Sequence, residues 1–257
     1  MQKNGVEEII VIAQDTTKYG IDIYGEAKLT ELLHEISKIE QIKWIRFLYA
    51  YPESITDELI EEVKNNSKIC KYFDIPIQHI SDNILKKMNR KSNSESIKKL
   101  ILKIRNKIPS AILRTSLIVG FPNETEKDFE KLYDFVKETK FDKLGVFKYS
   151  KEDGTAAATM NGQIHGQTKN KRWNKIMKLQ QQISEHKMKE KIGDTYKVII
   201  EGKTQDNRYY IARSYMDVPD MDGVIYIKCN DKLKVGSFAE CEIIDLSGEY
   251  DLIAKIK

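Results

Sequence analysis

From residue 6 to about 150 the chain alternates short apolar runs with amphipathic stretches. VEEIIVIAQD, IKWIRFLYAYP, YFDIPIQHIS, SAILRTSLIVGFP and KLGVFKYS are rich in β-branched and aromatic residues and too short for free-standing helices, so they predict five strands. Between them, AKLTELLHEISKI, ITDELIEEVKNN, SDNILKKMN, SESIKKLILKIRNKI and EKDFEKLYDFVKETK predict helices. In the fourth, Ile97, Leu100, Ile101 and Ile104 recur at three- and four-residue spacing and give one face to bury. Asn123, with Glu126 three residues on, resembles a capping box opening the fifth. Alternating strands and helices imply right-handed βαβ crossovers and a parallel sheet. Five strands fall short of the eight that close a barrel. The expected fold over residues 1–165 is therefore α/β, a partial (open) parallel βα barrel. Its edge strands would invite aggregation if left uncovered.

Small residues and glycines in KEDGTAAATMNGQIHGQ break this periodicity, and a basic helical pattern follows over residues 166–191. Ile176, Leu179 and Ile183 line one side, while Lys169, Lys171, Arg172, Lys175 and Lys178 crowd the remainder. That arrangement predicts a solvated connecting helix in preference to an RNA contact. From 192 to 257 the period switches to two, with five short strands around turns such as Asp222-Gly223 and Ser247-Gly248. They suit a small antiparallel β-barrel. Nine Lys/Arg against twelve Asp/Glu give this segment a net −3 in a chain of net +4. Asp217, Asp220 and Asp222 concentrate the acidity. A barrel that grips phosphates should be basic, so this one is better suited to a cationic protein, with an ordinary acidic loop as the equal alternative.

Composition narrows the classes. A chain of 257 residues, 40% apolar and 32% charged, accommodates one large α/β unit plus a small module and excludes wholesale disorder. Mild basicity permits a nucleic-acid or ribosomal partner without requiring one. No run of about 18 apolar residues is present, which excludes a conventional membrane span, and the start lacks the apolar core of a signal peptide. A cytoplasmic location is expected. Cys70, Cys229 and Cys241 are far apart with no CxxC spacing, against both a disulfide framework and an iron–sulfur site built from this chain alone. His34, His79, His165 and His186 are equally scattered and are read as structural.

In parallel α/β folds ligands bind at the carboxyl ends of the strands. Those ends carry Gln14, Asp15, Thr16 and Thr17; Tyr51, Pro52 and Glu53; Gln78, His79 and Ser81; Gly120 through Glu124; and Tyr149 and Ser150. Gly120 would let backbone approach a ligand, or simply serve a turn. Gln78 has an amide able to read an adenine edge or a carboxylate, unless it is only solvated. Arg114 falls inside a strand that should be buried, so it needs an acidic partner in the core or on a ligand. No Ser-His-Asp, GxSxG, P-loop or HExxH pattern is present. The residues support a binding cleft and leave the reaction unnamed.

VIAQDTTKYGIDIYGE, IRFLYAYPESITDELIE, DIPIQHISDNILKKMNRK, RTSLIVGFPNETEKDFE, LGVFKYSKEDGTAA and IARSYMDVPDMDGVIYI resemble successive blocks of the radical-SAM methylthiotransferases. They most resemble the branch that modifies an aspartate of the twelfth small-subunit ribosomal protein. The terminal barrel resembles a TRAM domain. The resemblance implies S-adenosylmethionine bound at the strand ends of a radical-SAM barrel. It also implies a [4Fe–4S] cluster on a CxxxCxxC loop and a second cluster that supplies sulfur to the aspartate β-carbon. Carried onto this chain, Gln14 and Asp15 resemble the edge that contacts the methionine part, and Gln78, Arg114 and Gly120 the rest of the cofactor wall. Asp217, Asp220 and Asp222 would meet the basic protein substrate, with the ribosome as a further partner. Neither the cluster loop nor the sulfur-donor domain is in this sequence, so the chain is expected to be a monomeric, incomplete member, silent alone. Family members typically carry Gly where Asn123 stands, Pro where Ala156 stands and Gly where Ala212 stands. Competing readings are the tRNA-modifying sister, a non-catalytic ribosome-associated module, and a generic small-molecule α/β enzyme.

Overall fold

A computed structural model describes residues 5–228 and 232–257, so Cys229 lies outside the described residues. The chain divides into two compact units, Met1–Gln180 and Gln181–Lys257.

In the first unit the five expected strands are β1 (Glu8–Val11), β2 (Trp44–Phe47), β3 (Tyr72–Asp74), β4 (Ile112–Val119) and β5 (Lys143–Lys148). Their order follows the chain. β1 pairs with β2, and β3–β4–β5 form a second ladder, all parallel. The two ladders are stitched by a single Ile45–Ile69 bridge and by Ala50 N donating to Asp74 O at 2.9 Å. The crossovers carry the short α1 (Ile21–Tyr24) and α2 (Leu29–Ser37), α3 (Asp57–Asn65), α4 (Asp82–Lys87) and α5 (Ser94–Lys107), and α6 (Glu126–Thr139). This is the open parallel α/β architecture that the alternation implied. The predicted face of α5 is inside, with Ile97, Leu100, Ile101 and Ile104 all buried. Each such side chain contributes about 1.5–3 kcal/mol on full burial.

The start of α6 departs from expectation. Thr125, not Asn123, is the N-cap, and its partner in the capping box is Asp128. Asn123 is excluded because its φ of +64° is left-handed, whereas an N-cap residue is extended. Asn is among the few side chains that tolerate that region, which accounts for its standing at a position read as glycine in the family. Ala156 is the first residue of α7 (Ala156–Thr159), where proline and alanine are interchangeable for the backbone.

α8 (Gly166–Lys189) begins in this unit. Trp173 Nε1 donates to Val146 O at 2.8 Å and Gln180 Nε2 to Phe141 O at 3.0 Å, so the helix lies over the β5 edge. Ile176 on the expected apolar side is fully buried, and Lys171, Lys175 and Lys178 are exposed as a solvated face requires. Arg172, assigned to that basic face, is the correction: it is only 5% exposed. At the opposite edge, β1 pairs among the described residues only with β2, and Ile12, Ile23 and Tyr24 are exposed.

The second unit is a closed barrel of β6 (Thr195–Lys203), β7 (Tyr210–Ser214), β8 (Ile225–Lys228), β9 (Phe238–Ser247) and β10 (Asp251–Ile256). Its order is β10-β8-β7-β6-β9, and the β8–β10 seam is parallel. A ring of five strands cannot alternate direction all the way round, so the wholly antiparallel expectation fails on parity alone. Alternate residues Val198, Ile200, Ala212, Ile225, Ile227, Cys241, Ile243, Leu252 and Ala254 fill the interior. Gly223 at the predicted turn has no room for a side chain, because a Cβ there would lie 2.2 Å from Tyr250 O.

Candidate functional site

The carboxyl ends of the strands in the first unit are built from unusual backbone. Tyr49 after β2, Gln78 after β3, and Gly120 and Asn123 after β4 all have positive φ, at +58°, +66°, +74° and +64°. Non-glycine residues in this region carry strain of order 1 kcal/mol or more, and such residues cluster at ligand sites. Gln78 is held there because its N–H donates to Ser116 O and its carbonyl accepts from Ile118 N. Its side chain is half-exposed between buried Ile77 and His79.

After β1, Asp15 caps the tight turn Thr16–Lys18, its Oδ1 accepting from Thr17 N at 3.2 Å and from Thr17 Oγ1. Asp15 Oδ2 is buried and makes no hydrogen bond, although Lys18 Nζ stands 3.2 Å away. Gln14 beside it is exposed. Thr16 Oγ1 donates to Leu48 O at 2.7 Å, which fixes this strand end against the next.

Three residues at the same end of the sheet come together although sequence reasoning did not join them. The Arg90 guanidinium lies 4.6 Å from the Tyr51 ring centroid, and Lys18 Nζ lies 5.6 Å from it. Lys18 is the cation facing Asp15. Among the described residues Arg90 has no ion-pair partner, so a half-buried guanidinium on an aromatic face stands ready for an anion. The available signal was the Asn of MNRK, a residue type that tolerates the left-handed backbone found at Asn89, just before Arg90.

Arg114 has the acidic partner its burial required. Its Nη1 lies 2.7 Å from Asp74 Oδ1, the two residues facing each other in the β3–β4 register, and Asp74 Oδ2 accepts from Tyr49 N at 3.1 Å. The alternative left open by the sequence, a ligand carboxylate, is therefore not needed to satisfy it. Gly120 is likewise committed: its N–H donates to Glu124 Oε2, and a Cβ there would meet Lys169 Cγ at 2.3 Å. The space beside Gly120 holds a lysine stem.

In the barrel, the proposed acidic surface is mostly turned inward. Asp217 is 5% exposed, with Oδ2 accepting from Ser214 Oγ at 3.1 Å and its carbonyl accepting from Arg213 Nη1. Asp222 Oδ2 accepts from Val218 N at 2.9 Å. Both close the SYMDVPDMDG loop on itself, so a docking contact through Asp217 is corrected by its burial. Asp220 alone of the three is exposed.

The described residues do not fit an iron–sulfur cluster. No group of three His, Cys, Asp or Glu among them could hold a metal, and Cys70 and Cys241 are buried in separate units. No step is derived through such a cluster. No helix among the described residues is long and apolar enough to cross a membrane. A cavity of about 420 Å³ opens between the start of α2 and the length of α3, lined by Thr17, Lys28, Glu31, Glu58, Glu62 and Asn65. It is acidic and touches the strand-end set only through Thr17.

Against known proteins, residues 1–136 match the radical SAM superfamily and residues 192–256 the TRAM domain. A protein of Alkaliphilus oremlandii named ribosomal protein uS12 methylthiotransferase RimO is 60% identical over all 257 residues. One of the same name from Clostridium botulinum is 56% identical over 256 residues. The chain spans 58% and 57% of those two relatives' lengths. Among solved structures, the radical SAM enzyme coproporphyrinogen III oxidase (HemN) of Escherichia coli superposes with a TM-score of 0.50 at 18% identity. It covers 60% of this chain and 37% of its own, a likeness of fold.

Proposed function

The chain belongs to the radical SAM superfamily, and from that premise we propose that it forms the cofactor-binding and substrate-docking part of a uS12 aspartate methylthiotransferase. The observation that carries the reading is an identity of 60% over an alignment that takes in all 257 residues, and so includes both the α/β unit and the terminal barrel. A relative sharing only cofactor chemistry would diverge in the barrel, where substrate is expected to be met.

The strand ends suit S-adenosylmethionine. Its carboxylate would pair with the unengaged Arg90 guanidinium, in keeping with the bidentate fit of guanidinium to carboxylate. The orphaned Asp15 Oδ2 supports a role in accepting from the cofactor's amino group or ribose hydroxyl. Gln78, forced into a left-handed conformation with its amide half-exposed, would read the adenine edge. Arg114 and Gly120 would contribute to the wall by shape, since their polar groups are engaged internally. When bound to a cluster, this cofactor supplies a carbon-centred radical; the cluster ligands are not among the described residues.

The barrel, at net −3, supports docking of a cationic protein over an RNA, with Asp220 the exposed member of the acidic loop. The ribosomal protein itself, monomeric action and a cytoplasmic setting belong to the same proposal. Calorimetric titration of the chain with S-adenosylmethionine tests its core. A saturable heat is expected, and R90A should weaken the affinity at least tenfold. Absence of any heat from the wild type, or an unchanged affinity in R90A, counts against the cofactor assignment.

A further inference from the structure

The helix whose basic residues suggested a solvated surface instead reaches the β4 strand end through a buried Arg172–Glu124 pair. Glu124 Oε2 accepts from Gly120 N and from Phe121 N, the latter at 3.1 Å, and so fixes the backbone that leaves β4. Its other oxygen, Oε1, is buried without a hydrogen bond and faces two side-chain nitrogens. Arg172 Nη1 of α8 is 3.4 Å away, and His79 Nε2, after β3, is 4.0 Å away. The same Arg172 Nη1 donates to Glu124 O at 3.0 Å, and Nη2 reaches Glu126 Oε2 at 3.0 Å. The guanidinium packs over Phe129, 5.4 Å from its centroid. His79 Nδ1 accepts from Ser81 N at 2.9 Å, which leaves Nε2 as the ring nitrogen turned to Glu124.

A carboxylate with no exposure needs a fixed counter-charge, and Arg172 is the one supplied. We infer that Arg172 is a positioning residue: acting through Glu124, it sets the Gly120–Phe121 backbone as a wall of the cofactor cleft. One turn earlier in α8, Lys169 Nζ donates to Tyr149 O at 2.8 Å and its stem fills the space beside Gly120. The basic helix therefore holds the ends of β4 and β5 from behind. The inference rests on the strand ends being the S-adenosylmethionine site.

R172M keeps the stem and removes the charge, and R172K restores a charge to the same place. Amide hydrogen exchange of the full chain, followed by NMR, should accelerate at least tenfold at Gly120 and Phe121 in R172M, while Leu117 in mid-strand changes little. R172K should return exchange to within about threefold of wild type. Calorimetry should show S-adenosylmethionine bound at least tenfold more weakly by R172M and near-normally by R172K. Unchanged exchange at Gly120 and Phe121, or acceleration spread evenly along β4, overturns the inference. So does local acceleration with unaltered affinity. A wild-type chain that binds no S-adenosylmethionine removes the cofactor reading itself and this inference with it, and is told apart because the wild type, not the variant, fails.

Discussion

The Asp74–Arg114 pair makes a sign prediction that area or contact arguments do not. Asp74 is fully buried and the Arg114 side chain is 15% exposed, so the two partners are not equivalent. R114M strands a carboxylate that water cannot reach, with Tyr49 N still donating to it at 3.1 Å. Breaking a buried pair from one side costs about 3–5 kcal/mol. D74N keeps an oxygen for Tyr49 N and leaves a guanidinium that can draw water, so its cost should resemble the loss of one charged hydrogen bond, about 1.5–3 kcal/mol. In the double variant no charge is stranded. It should therefore be more stable than R114M alone by about 1–2 kcal/mol, although it carries one more substitution. Urea unfolding followed by tryptophan fluorescence is a fitting assay, because both tryptophans, Trp44 and Trp173, belong to the first unit. A double variant no more stable than R114M would refute the account. An R114M protein of wild-type stability that had lost S-adenosylmethionine binding would return Arg114 to the role of a direct ligand contact.

The acidic loop of the barrel should separate by burial. D217A is expected to lower barrel stability by about 1–3 kcal/mol, because the buried Ser214 hydroxyl loses its carboxylate acceptor. D220N keeps a side chain that tolerates the left-handed backbone at this position (φ +60°), so it should leave the melting temperature unchanged while weakening co-sedimentation with a basic protein, and equal effects of both on melting would contradict this. At Asp128, burial pushes the carboxyl up, but hydrogen bonds from Ser81 and Thr125 outweigh it and hold the value below the ordinary carboxylate range. A depressed folded value means stability that is present above about pH 4 and lost as pH falls through it. D128N should accordingly lose less melting temperature between pH 7 and pH 3 than the wild type, and an equal loss would show that the cap is not the titrating element. Burial raises the Cys241 thiol to about 11, so iodoacetamide at pH 8 should alkylate it only after unfolding. Labelling of Cys241 in native protein, read by peptide mass spectrometry, would contradict its placement in the barrel interior.

What the sequence disclosed and what it hid divide along a physical line. Periodicity registers which face of an element is buried, so the five strands, the α5 face and the switch to period two at 192 were all readable from hydrophobic spacing. Charge partners are set by register and crossover, which no local window contains. Arg114 announced a need for an acid, yet Asp74 became its partner only through the β3–β4 ladder. Arg46, which the sequence reading passed over inside WIRF, is 1% exposed; it is answered by Glu8 across β1–β2 and packs against the Trp44 and Tyr72 rings. The lysine-rich helix misled for a related reason. A basic stripe looks solvated when counted along one helix, but Arg172 is buried because Glu124 is buried, and Glu124 is buried because two strand-end amides need an acceptor. The same logic separates candidates that share a strand end. Residues whose polar atoms are already engaged, Arg114 and Gly120, shape the cleft. Residues left with unspent hydrogen-bonding capacity, Asp15 at Oδ2 and Arg90 at its guanidinium, are where a ligand would complete the structure.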